Sequence, residues 1–231
     1  MTVKACVFDA YGTLFDVSAA ARACAAEPGR AALAEVWPAL AETWRAKQLN
    51  TTWLRAAADD HVDFWTVTRD ALSYALEAHG LGGDAALEER LMQLYFELDA
   101  FPETPEVLRQ LKAQGRATAI LSNGEPKMLA AAASSAGVED LLDDILSAES
   151  VGVFKPHARV YELVTKRFDC APSEIVFVSS NCWDACFAAR YGFHTFWVNR
   201  RGEPMERLSA QPQVVLSDLS DLPARVAATA G

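Results

Sequence analysis

The sequence predicts an α/β fold, a parallel-sheet core with a helical bundle inserted into it, on three observations. Short, continuous apolar runs recur at Ala5–Phe8, 117–121, 175–178, 195–198 and 214–216. Runs of this length without polar alternation fit strands buried on both faces, as in parallel sheets. From the second run onward helical patterns separate them, the alternation expected of a parallel sheet with crossover helices. Residues 17–98 break that alternation: the stretch is rich in Ala, Leu, Arg and Glu and contains no strand run.

Taken in order, the first run ends at Asp9 and the turn residues Tyr11-Gly12-Thr13. Asp16 reads as a cap for the helix that follows. In the strand-free stretch, Phe64, Val67, Ala71, Leu72 and Ala75 recur at helical spacing, and Pro28-Gly29 and 80–83 read as loops. This predicts about four helices lying over the C-terminal end of the first strand, where open α/β sheets bind their ligands. Later helices are expected over 105–114, closed by Gly115, over 126–135 before Gly137, over 158–167, and over 183–191 before Gly192. The expected division is a core of residues 1–16 and 99–231 and a helical cap of residues 17–98.

Composition excludes several classes of function. The chain has 231 residues, 51% hydrophobic and 23% charged, enough to bury a core without staples. Its 31 acidic and 21 basic residues give a net charge of −10, the wrong sign for a general nucleic-acid binder. No apolar run approaches the ~18 residues that span a bilayer, and the N-terminus lacks a signal-peptide layout, so a cytoplasmic location is expected. Five cysteines without a leader argue against a disulfide framework. Cys182 and Cys186 stand four apart, but no Cys-x-x-Cys pair or nearby His supports zinc.

Four clusters carry candidate chemistry. Asp9 is a carboxylate at a strand's C-terminal end, a site position or a plain turn-former. Ser122-Asn123-Gly124 presents a hydroxyl, an amide and backbone N–H groups to an anion, or is a simple loop. Lys155, extended before Pro156, is a cation able to lower a neighbouring carboxylate's pKa, or a solvated lysine. Ser179, Ser180, Asn181 and Asp184 gather after the third run, as site residues or as helix caps. All four stand at the ends of parallel strands and therefore converge.

The combination of Asp9-Ala-Tyr-Gly-Thr-Leu-Phe-Asp16, Leu-Ser-Asn-Gly at 121–124, Phe-Lys-Pro at 154–156 with Tyr161, and Ser-Ser-Asn-x-Trp-Asp at 179–184 resembles the haloacid dehalogenase superfamily. More narrowly it resembles the type II L-2-haloacid dehalogenases, through Trp44-Arg45-Ala-Lys-Gln-Leu49 and Thr52-Trp53-Leu54-Arg55 as well. The resemblance implies a Rossmann-like core with an inserted helical cap. It also implies hydrolysis of short-chain L-2-haloalkanoic acids to D-2-hydroxy acids through an ester on Asp9. By the same resemblance Thr13 orients Asp9, and Lys155 keeps it ionised with support from Tyr161 and Ser179. Ser122 and backbone N–H groups bind the substrate carboxylate. Arg45, Asn123 and Trp183 cradle the halide, and Asn181 and Asp184 position or activate water. Tyr11, Leu49, Phe64 and Trp183 form the apolar wall; for Leu49 and Phe64, ordinary lid core is the alternative.

The phosphatase branch of the superfamily carries a second aspartate two residues after the nucleophile; here that residue is Tyr11. With Lys155 competing for a cation's place, the expectation is no metal and no cofactor. Two departures from the type II pattern fall in the cap: Asn50-Thr51 replaces a common Glu-Tyr, and Ala46 replaces a larger polar residue. Related enzymes are often homodimers, so a homodimer joined through the helical insertion is expected. A metal-dependent phosphatase and a non-catalytic binding protein remain the competing readings.

Overall fold

A computed structural model describes residues 2–229. Strand β1 (Ala5–Phe8) is followed by four helices, α1 (Ala19–Ala25), α2 (Ala31–Ala58), α3 (Phe64–Ala78) and α4 (Ala85–Leu94). The chain then alternates through α5 (Thr104–Ala113), β2 (Ala117–Ser122), α6 (Pro126–Ser135), β3 (Asp144–Ser147), α7 (Ala158–Phe168) and β4 (Ile175–Ser179). It ends with α8 (Cys182–Tyr191), β5 (His194–Val198), β6 (Val214–Leu216) and α9 (Leu222–Thr229).

The six strands form one parallel sheet in the order β3-β2-β1-β4-β5-β6. All five apolar runs are strands in it. The sixth strand, β3, escapes that signal because Asp144-Ile145-Leu146-Ser147 lies at the sheet edge, half-buried over three of its four residues. Every residue of β1 is buried, as a central strand covered on both faces requires. Strand order reverses at β1, with β2 on one side and β4 on the other. A crevice therefore opens beyond their C-terminal ends, the usual ligand position of such sheets.

Local chemistry explains how the helices begin and end. The Asp63 and Asp84 side chains accept the Thr66 and Leu87 N–H groups, capping α3 and α4. Asp16 accepts the Ser18 N–H at 3.0 Å, just ahead of α1. Helix α8 stops at Gly192, whose φ of 113° a side chain would resist. The apolar faces of α1 to α4 pack on one another, and residues such as Leu40, Trp44, Phe64 and Tyr95 join the same core as Tyr11 and Phe15 of the β1 loop. The inserted helices thus sit over the end of β1. Among the described residues no helix is long and apolar enough to cross a membrane.

Candidate active site

The register of the sheet brings its polar loops together. Asp9 follows β1, and its N–H donates to the Val178 carbonyl of β4 at 2.9 Å, which extends the pairing to the mouth of the crevice. The chain then turns sharply at Gly12, whose φ is +87°. A Cβ there would stand 3.1 Å from Ser180 Oγ. The turn returns Thr13 beneath Asp9.

Asp9 is 6% exposed, and its carboxylate is nearly surrounded by donors. Oδ2 accepts from Thr13 Oγ1 and Asn181 Nδ2, each at 3.1 Å. Oδ1 accepts from Lys155 Nζ at 3.2 Å. Lys155 also donates to Asp184 Oδ2 at 2.8 Å, so one ammonium bridges two carboxylates. Tyr161 donates its hydroxyl to Asp184 Oδ1 at 2.8 Å. Lys155 and Asp184 are buried, at 1% and 0% exposure. Burial alone would strip the charge from Lys155, but the Asp184 and Asp9 carboxylates outweigh it and lift the ammonium's pKa above the ordinary lysine value. Burial pushes the Asp184 carboxyl up, against the pull of Lys155, and the charge of Asp9 pushes the same way as burial. The ring of Phe177 lies 5.0 Å below the ammonium and shields it from water.

A second layer comes from the inserted helices. Arg45 on α2 donates to the Tyr11 carbonyl at 3.2 Å, directly above the β1 loop. Its other terminal nitrogen donates to Gln48 Oε1 at 2.8 Å. Gln48, fully buried, donates to Thr68 Oγ1 at 2.8 Å, and Thr68 donates to the Phe64 carbonyl. The guanidinium is therefore fixed by a polar chain running through the lid. Tyr11 stacks on Phe64, with centroids 6.0 Å apart. Its hydroxyl is buried without a partner. A Cβ on Gly124 would come within 2.8 Å of that ring, so the 122–124 loop depends on glycine for its approach to Tyr11.

A cavity of about 720 Å³ opens beside this assembly, with Tyr11, Arg45, Ala46, Leu49, Asn181 and Arg200 in its wall. Trp183 meets Trp53 of α2 edge-on at 5.3 Å, a contact between lid and core. Ser122 accepts the Gly124 N–H at 3.1 Å, and the hydroxyl keeps its own proton to donate. Asn123 Oδ1 accepts the Lys155 N–H at 2.8 Å, which leaves the amide nitrogen as a donor.

Thr13, Lys155, Asn181 and Asp184 thus meet around Asp9, and Arg45, Tyr11 and Leu49 face the adjoining cavity. Three further sequence-predicted residues stand behind these. Tyr161 is beneath the ion network, among Phe177, Tyr191 and Phe193, and reaches it by donating to Asp184, the carboxylate that shares Lys155 with Asp9. Ser179 accepts the Asn181 N–H at 3.1 Å and shapes its own loop instead of joining Lys155. Phe64 is 1% exposed, packed behind Tyr11. Sequence reasoning missed Gln48: a glutamine on a helix gives no sign of burial until the helix partner is known. Its spacing from Arg45, three residues along one helix face, was the available signal.

A family model for haloacid dehalogenase-like hydrolases matches residues 3–192. The chain is 41% identical over 221 residues to (S)-2-haloacid dehalogenase 4A of Burkholderia cepacia, covering 96% of this chain and 94% of that one. It is 42% identical to (S)-2-haloacid dehalogenase 1 of Pseudomonas sp. strain CBS-3, covering 96% and 95%. Among solved structures, the L-2-haloacid dehalogenase of Xanthobacter autotrophicus with chloropropionic acid covalently bound superposes with a TM-score of 0.88 at 36% identity, over 98% of this chain and 99% of that one.

Proposed function

Because the chain belongs to the haloacid dehalogenase-like hydrolases, and within them to the (S)-2-haloacid dehalogenase family, we propose that it hydrolyses L-2-haloalkanoic acids to D-2-hydroxy acids without a metal. The observation that carries the reading is the ammonium of Lys155 set between Asp9 and Asp184, with Tyr11 where the phosphatase branch has its second acid. A divalent cation would need those carboxylate oxygens, and a buried ammonium already neutralises them. Among the described residues no cluster of three His, Cys, Asp or Glu side chains is arranged to hold a metal ion.

In the proposed reaction an Asp9 oxygen attacks the substrate's α-carbon from the face opposite the halogen. The carbon–oxygen bond forms as the carbon–halogen bond breaks, the halide leaves with the bonding pair, and the carbon inverts. Thr13, Asn181 and Lys155 hold the carboxylate in the attack geometry in place of its water shell. The Ser122 hydroxyl and neighbouring N–H groups bind the substrate carboxylate. Arg45, with Asn123 and Trp183, receives the charge that develops on the halogen. Water then adds to the Asp9 ester carbonyl, assisted by Asp184 and Asn181. The ester bond breaks, the hydroxy acid departs, and Asp9 is restored with net release of one proton and one halide. The helices of residues 17–98 act in this reading as the lid that excludes water.

The test is halide release from L-2-chloropropionate in EDTA, with the D enantiomer as control. Release from the L form alone is expected. Activity on a phosphate monoester that needs Mg²⁺, with no halide release, would replace this reading with the phosphatase one.

Gln48→Leu tests the role of Arg45. It leaves the guanidinium and Thr68 each short of a buried partner, a loss of about 1.5–3 kcal/mol for a bond to a charged group. Turnover is expected to fall about tenfold to a hundredfold, and more for chloride than for bromide, because the poorer leaving group leans harder on Arg45. An equal loss for both halides would assign Gln48 to lid stability alone.

The same reading places the protein in the cytoplasm as a homodimer. Supporting the homodimer are the exposed Trp53 and Leu54 on α2 and Tyr74 on α3, apolar side chains on the inserted helices. Sedimentation at micromolar concentration checks the dimer.

A further inference from the structure

A small apolar cluster behind α8 holds three sulfur atoms that the proposed reaction does not use. Cys182 and Cys186, one turn apart on α8, place their Sγ atoms 3.9 Å from each other. Met205, on the segment between β5 and β6, brings its Sδ to 3.5 Å from Cys182 Sγ. Trp197 and Leu208 complete the surround. The Glu206 N–H points at Cys182 Sγ, 3.5 Å away.

We propose that Cys182, Cys186 and Met205 form a binding site for one soft monovalent cation of the Cu(I) class. Two features favour such an ion. Two thiols and a thioether are the donor set that soft d¹⁰ ions select, and the lack of histidine that argues against zinc is no obstacle to them. With metal–sulfur bonds of about 2.3 Å, a planar three-coordinate ion holds its sulfurs about 4.0 Å apart, so the two spacings from Cys182 Sγ, 3.9 Å to Cys186 and 3.5 Å to Met205, need little change. On binding, each thiol that becomes a ligand gives its proton to the buffer as the metal–sulfur bond forms, and no electron is transferred.

The site joins two parts of the molecule. Cys182 adjoins Asn181, which contacts Asp9, and Met205 lies on the segment whose Arg200 and Arg201 line the cavity. An ion here ties the cavity rim to the helix that bears Asn181 and Asp184.

The experiment uses Ag(I) as the probe, added to the whole chain with an excess of a monothiol. The monothiol strips ions from single cysteines such as the half-buried Cys170 but competes poorly with a chelate. After desalting, the wild-type chain is expected to retain one Ag(I), Cys186→Ser none, and Met205→Leu one with at least tenfold weaker affinity. Cys186→Ala serves as the second variant, and its circular dichroism confirms the fold. Wild-type chain that retains no Ag(I), or retention unchanged in both Cys186 variants, overturns the proposal; unchanged affinity in Met205→Leu removes the thioether from it.

Discussion

Asp9→Asn is expected to lower kcat by on the order of 10⁴-fold or more while the chain stays folded, as loss of a covalent nucleophile does in other hydrolases. The substitution keeps the size of the side chain. The oxygen of the amide still accepts from Thr13 and Asn181, whose donors stand 3.1 Å from Oδ2. What is lost is the anion. An amide oxygen does not displace a halide at a useful rate, and Lys155 then faces Asp184 alone. Circular dichroism and substrate protection against thermal unfolding separate this outcome from misfolding. A matched isotope experiment identifies the covalent step. In ¹⁸O water, a single turnover of the wild-type enzyme is expected to leave the heavy oxygen on the peptide containing Asp9 and not in the hydroxy acid, because water attacks the ester carbonyl. Heavy oxygen in the first-turnover product would instead make Asp9 a base for direct attack by water.

The site was legible in the sequence where chemistry is concentrated at strand ends. Five of the strands are continuous apolar runs, and each polar residue that follows one is carried to the same edge of the sheet by parallel pairing. Asp9, Asn181 and the 122–124 loop needed no further information to be placed together. Strand β3 was not legible, since an edge strand with one shielded flank needs no apolar run. The partners within the site were also hidden. Lys155 contacts Asp9 across 146 positions of chain, and nothing local to either residue says that Asp184 shares the ammonium. Tyr161 was legible as a support of the Lys155 network, but not the carboxylate it serves, Asp184, because a motif records presence and not direction. Gln48 was hidden for a related reason: its spacing put it beside Arg45, but only the packing of α2 on α3 brings it to Thr68.

The sharing of that ammonium makes Lys155→Met the more informative second substitution. Methionine matches the apolar stem and fits a site walled by Phe177, so packing changes little. The electrostatics change completely. Asp9 and Asp184 both faced one cation, and without it two buried carboxylates confront each other in a region that water barely enters. Removing one partner of a buried ion pair costs about 3–5 kcal/mol, because the surviving charge is left uncompensated. The protein escapes part of that cost by taking up a proton, since two adjacent carboxylates seldom both ionise. Asp184, fully buried and already pushed up by burial, is the member expected to hold it. A group whose pKa is raised on folding adds stability below its unfolded pKa and loses it as pH rises through the folded value. The variant's stability should therefore decline from acid toward neutral pH, where the wild type, neutralised by Lys155, declines less. Thermal unfolding between pH 4 and 8 measures this directly. Turnover should fall by on the order of 10³-fold or more, since Asp9 loses the contact that orients and stabilises its anion and a protonated Asp184 no longer accepts a proton from water. Parallel stability profiles for variant and wild type would mean that Lys155 does not balance the two carboxylates. The case against a metal at this position would then have to rest on Tyr11 alone.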